Sequence, residues 1–289
     1  WTADGENEVI LGNLGSASDV AGDVTILDEG STSVDVLLNH SNGAAGLDWN
    51  LVVAGSNEEA KARLTGFSQG GSLNYRPDAT NEVALLNATG GGGSLTIDFA
   101  QGNPLPAGRL VYDGGWSGDG SDPSDLILKG SPVEEIVEQV HKPTGSSSGS
   151  IDFLSEGLTS TSLFYLGVSP SSIYDTVAAG IYTFVYAGDP AVGVELLVGE
   201  NSGATGGLQT LLIASANADF PEFVDTHVGN KGAIEVEQLG VGDYSVLVNY
   251  NSTTPVAGLE NLLITQGAGD DEADLHAQPE LDAHALQHL

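Results

Sequence analysis

In the segment YDGGWSGDGSDPSDL, Asp113, Asp119, Ser121, Asp122 and Asp125 offer a set of candidate oxygen ligands. Carboxylates and hydroxyls separated by glycines can turn toward one centre, and backbone carbonyls can join them. Such a set resembles the about six to eight oxygens that calcium takes from a flexible loop. The spacing departs from the helix–loop–helix calcium pattern, because no glutamate closes the last ligand position and apolar, strand-like runs flank the loop. It departs as well from the tandem glycine–aspartate repeat of calcium-loaded β-rolls. The competing reading, which the spacing favours over bound Ca2+, is a long hairpin tip whose charges stay in water. Trp116 in the same loop is the aromatic candidate for stacking on a sugar. Trp49, between aliphatic residues in LDWNLVV, reads as core.

Hydrolytic chemistry leaves little trace. No G-x-S-x-G elbow, H-E-x-x-H pair, phosphate-binding loop or dinucleotide fingerprint occurs. A serine nucleophile needs a histidine base. Three of the six histidines, His276, His284 and His288, lie in the final segment, which leaves His40, His141 and His227. These three show no metal-ligand spacing and are expected in solvated loops. A carboxylate pair for sugar hydrolysis is set by tertiary geometry. Asp98, Glu195 and Glu235 sit in strand-like runs, where alternation turns them to solvent.

The charge balance is lopsided: 40 acidic residues against 7 basic ones give a formal net charge of -33 over 289 residues. That surface repels the polyanions DNA and RNA, so nucleic acid is excluded as a partner. It draws cations and stays soluble in high salt. Hydrophobic residues make up 40%, enough to build a core. Cysteine and methionine are both absent and residue 1 is Trp. These features lead us to expect a processed, secreted prokaryotic protein of the cell surface or extracellular matrix, held together by packing rather than disulfides. No apolar stretch is long enough for a transmembrane helix. Asn39, Asn87 and Asn251 each begin an N-x-S/T sequon.

The elements that must position these residues are strands. Val36–Gly55, Ala84–Gly102, Glu195–Asn217 and Val246–Gly269 each join two aliphatic runs through an Asn-, Ser-, Thr- or Gly-rich connection, and read as hairpins or adjacent strands. A second echo, LPAGRLVYDG, VAAGIYTFVYAG and LGVGDYSVLVNY, puts glycine before an alternating strand. In the middle copy Tyr182, Phe184 and Tyr186 share one face and are expected to fill a core. These "aGxYxxxV" strands resemble a family of short secreted bacterial β-sandwich modules (DUF4397-like), over about twelve residues per copy. The resemblance implies an extracellular β fold and supplies no catalytic residues.

Helix signals are few. GSPVEEIVEQVHK predicts one helix, with Ser131 as N-cap, Pro132 in the first turn, Glu134 completing the capping spacing, and Val133, Ile136, Val137 and Val140 as its apolar stripe. SNEEAKARL predicts a shorter one. The expected fold is all-β, an antiparallel sandwich or jelly-roll-like arrangement with one or two short helices. The division is a β region over 1–130, helix and Gly/Ser linker over 131–150, a second β region over 151–269, and an acidic tail over 270–289. Leu275, Leu281, Leu286 and Leu289 give that tail apolar anchors for docking on a neighbouring subunit or on its own chain.

The functional expectation is a structural subunit of an extracellular prokaryotic filament, surface layer or matrix. It would form a homo-oligomer or polymer through termini or edge strands, with calcium as a screening cation. A carbohydrate-binding or adhesive module using Trp116 and a glycan is the first alternative. A glycoside hydrolase or lyase on a β scaffold is the second.

Overall fold

Alternation decides which side of each strand faces inward. In Val34–Asn39, Val34, Val36 and Leu38 are buried while Asp35, Leu37 and Asn39 face out. The computed structural model describes residues 7–12, 15–17, 19–26, 34–54, 61–116, 123–130, 136–145, 147–156 and 160–186. It also describes the backbone of seven later strands.

The chain passes back and forth between two sheets. β1 (Asn7–Leu11) lies in the first and β2 (Asp23–Thr25) in the second; β3 (Val34–Asn39) returns to the first. β4 (Asp48–Ala54), β5 (Lys61–Thr65) and β6 (Ser72–Tyr75) form a meander in the second sheet. Single strands then alternate: β7 (Thr80–Leu86), β8 (Ser94–Asp98), β9 (Arg109–Asp113) and β10 (Ser124–Lys129). A second meander, β11 (Ile136–Gly145), β12 (Ser148–Ser155) and β13 (Ser160–Leu166), belongs to the first sheet. β14 (Val168–Asp175) and β15 (Ala179–Tyr186) resume the alternation. β16 (Val194–Glu200), β17 (Gln209–Ser215) and β18 (Val224–Val228) form a third meander, in the second sheet. β19 (Lys231–Gln238), β20 (Ser245–Tyr250), β21 (Asn261–Thr265) and β22 (Glu272–Ala277) complete the stack.

This alternation has a geometric consequence. Between two strands of one sheet the chain visits the other sheet and comes back, so it re-enters in the same direction. Neighbours such as β1–β3, β3–β7, β7–β9 and β9–β13 are therefore parallel, as are β4–β8, β8–β10 and β10–β14. The result is a flattened two-sheet β-solenoid, with 10 strands in one sheet and 12 in the other. The three meanders are antiparallel insertions within its coils.

Parallel register stacks like positions into rows. One inward row of the first sheet runs Val9, Val36, Val83, Leu110, Leu163, Ile151, His141, Phe184. The facing sheet carries Val24, Leu73, Leu64, Leu51, Ile97, Leu128, Asp175. Side chains from both sheets join one core, with Trp49 edge-on to Tyr112 at 6.2 Å and Phe99 against Phe153 at 5.0 Å between ring centres. Each fully buried aliphatic side chain here stabilises by about 1.5–3 kcal/mol.

The all-β class holds, with no α-helix among the described residues. Several finer expectations are corrected. Antiparallel pairing is confined to the three meanders and parallel neighbours dominate. Of the four segments read as hairpins, only Glu195–Asn217 pairs its two strands; the others send their strands to opposite sheets. The expected helix and linker over 131–150 contain instead β11, bonded to β12 and β15 within a continuous sheet. The shorter expected helix ends in β5. Within the acidic tail, β22 pairs with β20 of the same chain; residues 278–289 lie outside the described set.

Candidate functional site

Two places gather polar chemistry: the turns at one end of the first sheet, and a cluster inside the solenoid. At the turns, each coil's backbone bonds the next. His40 N donates to Leu86 O, Asn87 N to Asp113 O and Gly114 N to Leu166 O, each at 2.8 Å. Gly115 completes the stack because its φ of 74° is open to glycine, and a Cβ there would sit 2.0 Å from Ala88 O.

The aspartate-rich loop leaves this stack. It is an inter-sheet crossover, not a hairpin tip, because β9 and β10 belong to different sheets. Ser124 closes its neck by donating from Oγ to Gly114 O at 2.6 Å. Asp113 and Asp125 flank that neck from the two sheets. Asp113 Oδ1 accepts Gly115 N–H at 2.9 Å, so one carboxylate oxygen is engaged in a local turn. Asp125 faces outward on β10. Burial raises its proton affinity, the Ser172 hydrogen bond lowers it and the Asp48 charge raises it. Asp48 itself accepts Ser94 Oγ at 2.9 Å. Asp119, Ser121 and Asp122 lie outside the described residues. Among the described residues no three His, Asp or Glu side chains are grouped to hold a metal. Trp116 is half-buried, and its backbone N–H is bonded to Gly167 O at 3.1 Å.

Two of the three histidines expected in solvent, His40 and His141, are inside. His40 is 2% exposed; its Nδ1 accepts Ala17 N–H at 3.2 Å and its Nε2 donates to Ala45 O at 3.0 Å. His141 is fully buried on β11. Its Nδ1 and Nε2 lie 2.8 Å from the hydroxyls of Tyr182 and Tyr165 respectively, and it packs edge-on to both rings and to Phe184. A neutral imidazole has one donor and one acceptor, so one tyrosine accepts from it and the other donates to it. Burial pushes the imidazole down to about 3. Burial likewise raises the Tyr165 and Tyr182 hydroxyls, the latter further through the charges of Asp175 and Tyr165. Beside them Gln139 Nε2 donates to Asp175 Oδ2, and Asp175 Oδ1 accepts Val177 N–H at 3.1 Å. His141 and Asp175 are thus the polar members of otherwise apolar rows, and each is satisfied from within. His141, Tyr182 and Asp175 are each 0% exposed, so the cluster is closed to solvent.

Other expectations resolve in the same terms. Trp49 is core, as are Tyr182 and Phe184; the Tyr186 side chain lies outside the described set. Asp98 faces outward, 3.6 Å from Lys129. The sequon at Asn87 is spent internally: Oδ1 accepts Leu47 N–H at 2.8 Å and Ala88 N–H at 3.1 Å, while Nδ2 donates to Leu47 O at 3.2 Å. Asn39 Oδ1 accepts the Ser41 amide and hydroxyl. Asn251 and the side chains of Glu195, His227 and Glu235 lie outside the described set. Of the buried group Gln139, His141, Tyr165, Asp175 and Tyr182, the sequence signals Tyr182, through the aromatic alternation in β15, and gives no sign of the other four. No helix among the described residues is long and apolar enough to cross a membrane. No family model, curated protein or solved structure matches this chain.

Proposed function

We propose that this chain is a structural subunit of an extracellular prokaryotic assembly: a filament, surface layer or matrix. The observation that supports it best is the way the polar chemistry is used. The buried histidines, the buried aspartate and the buried asparagine are all consumed by internal hydrogen bonds. What they hold together is a pair of continuous sheets. Ten strands at about 4.8 Å spacing give a stack roughly 43 Å long, a stiff element suited to bearing load or setting distance. The acidic surface keeps it hydrated and makes contacts between copies depend on salt. Calcium belongs to the same proposal as a screening ion, with the loop from Asp113 to Asp125 as its candidate seat.

The test is self-association. Light scattering and negative-stain electron microscopy, across protein concentration and from low to high salt, should show salt-promoted oligomers or arrays. A protein that stays monomeric throughout removes this reading and promotes the sugar-binding one. For calcium, the melting temperature in low-millimolar calcium should exceed that in sodium at equal ionic strength; equal values leave only diffuse screening.

A further inference from the structure

The outer face of a parallel sheet is normally covered, yet the first sheet carries an apolar row there. In register across five strands lie Ile10, Leu37, Ala84, Val111 and Phe164. Ile10 is 59% exposed and Phe164 39%, and Leu37, Ala84 and Val111 are half-buried. Four inter-strand steps of about 4.8 Å make the row roughly 19 Å long. The charged row beside it reads Glu8, Asp35, Glu82, Arg109, Ser162 in the same strand order. On the other side, strand order gives Asn39, Leu86, Asp113 and Leu166.

These rows are self-complementary about their midpoint. The apolar row is large at both ends and small at its centre. A two-fold axis lying along the strands over Ala84 places Ile10 against Phe164 of a second copy, and Leu37 against Val111. The same rotation sets Asp35 opposite Arg109, Asn39 opposite Asp113, Glu8 opposite Ser162, and Leu86 opposite itself. Glu82 meets its own counterpart, but each is already ion-paired to its own Arg109. That arginine also stacks over Phe164, 5.7 Å from the ring centre. Strand directions agree across such a contact, as in aligned sheet packing, and an isologous patch must be self-complementary in this way.

We infer that this outer face is the lateral contact between two copies of the chain, formed face to face about Ala84. The inference rests on the assembly reading and names one of its interfaces. A patch about 19 Å long and two to three residues wide falls short of the roughly 800 Å² per partner of a standard stable interface. The contact is therefore weak by itself and gains from repetition in an array. Net charge of -33 per copy opposes it. Salt relieves that opposition as the screening length falls from about 10 Å at 0.1 M to about 3 Å at 1 M.

Sedimentation equilibrium of the full chain at about 0.1 M and about 1 M salt tests this with variants on the face. Ala84→Arg brings two guanidinium groups together on the axis and should weaken association at least about tenfold, a change of about 1.4 kcal/mol. Asp35→Arg and Arg109→Asp should each weaken it several-fold, while the double exchange should restore it. Circular dichroism checks that each variant keeps its sheet. If Ala84→Arg misfolds, Ile10→Asn and Phe164→Asn at the two exposed ends of the row take its place. Wild-type association that none of these changes alters overturns the face-to-face contact and leaves the assembly reading standing. A wild type that is monomeric at both salts overturns both.

Discussion

Lowering the pH should loosen this protein through His141 before its carboxylates titrate. The imidazole is pushed from an ordinary 6.5 down to about 3 by burial. Its folded value is depressed, so the unfolded chain binds the proton more readily. The stabilisation is complete above pH 6.5 and is lost as pH falls from there through 3. At pH 5 the loss works out at about 2 kcal/mol, and at pH 4 at about 3 kcal/mol, from 1.36 kcal/mol per unit. The rest of the molecule pulls the other way. Protonating carboxylates relieves the self-repulsion of a chain with net charge -33, but for ordinary carboxylates near 4 this comes mainly below pH 5. The window between pH 6.5 and 5 therefore isolates histidine. Urea titrations at pH 7, 6 and 5 on wild type and His141→Asn would measure it, since the other five histidines remain in both proteins. The wild type should lose about 2 kcal/mol more than the variant between pH 7 and 5, roughly 1 M in urea midpoint for a slope near 2 kcal/mol/M. Equal pH slopes in the two proteins would refute the claim that a neutral, buried His141 is held between the two tyrosines.

Further outcomes are expected at the turns and in the core. Asn87→Ala leaves the buried Leu47 amide and carbonyl without their side-chain partner and should cost about 2–4 kcal/mol in urea denaturation. The same burial predicts that Asn87 stays unmodified when the protein is expressed in a glycosylating host, as mass spectrometry would show. Gly115→Ala, with a methyl forced toward Ala88 O at 2.0 Å and φ at 74°, should destabilise by at least about 2 kcal/mol. Among the described residues, Tyr112 Oη and Trp49 Nε1 are buried without a hydrogen-bond partner of good geometry. Asn87 and Ser124 lie close enough only to temper the burial that pushes the Tyr112 hydroxyl up to about 12. Tyr112→Phe should accordingly change stability by no more than about 1 kcal/mol, and a larger loss would mean that the hydroxyl is satisfied after all.

In β4 and β15, strand character and burial of the aromatic residues are legible from the chain alone. Tyr182 and Phe184 alternate with smaller residues, and Trp49 sits among aliphatics; both patterns report burial on one side of a pleated backbone. Pairing was not legible. An alternating strand looks the same whether its neighbour is the next strand or one a full coil away, because the period of two describes a face and not a partner. A segment such as Ala84–Gly102 thus reads as a hairpin or a pair of adjacent strands, although β7 and β8 lie in opposite sheets.

The same limit explains β11. In the sequence Val133, Ile136, Val137 and Val140 fall at helical spacing behind a Ser-Pro start, which leaves the polar Gln139 and His141 off that apolar stripe. In the fold Gln139 and His141 point into the core while Val137 is 39% exposed. Local sequence favours the helix. What reverses it is a set of partners far along the chain: Tyr165 and Tyr182 for the imidazole, Asp175 for the amide. Composition and alternation determine that this chain makes strands with one buried side, because those are properties of a residue and its near neighbours. Which strands meet, and which polar residues are admitted inside, depends on groups that come together only when the coils stack, since a buried donor is tolerated only where its acceptor arrives with it.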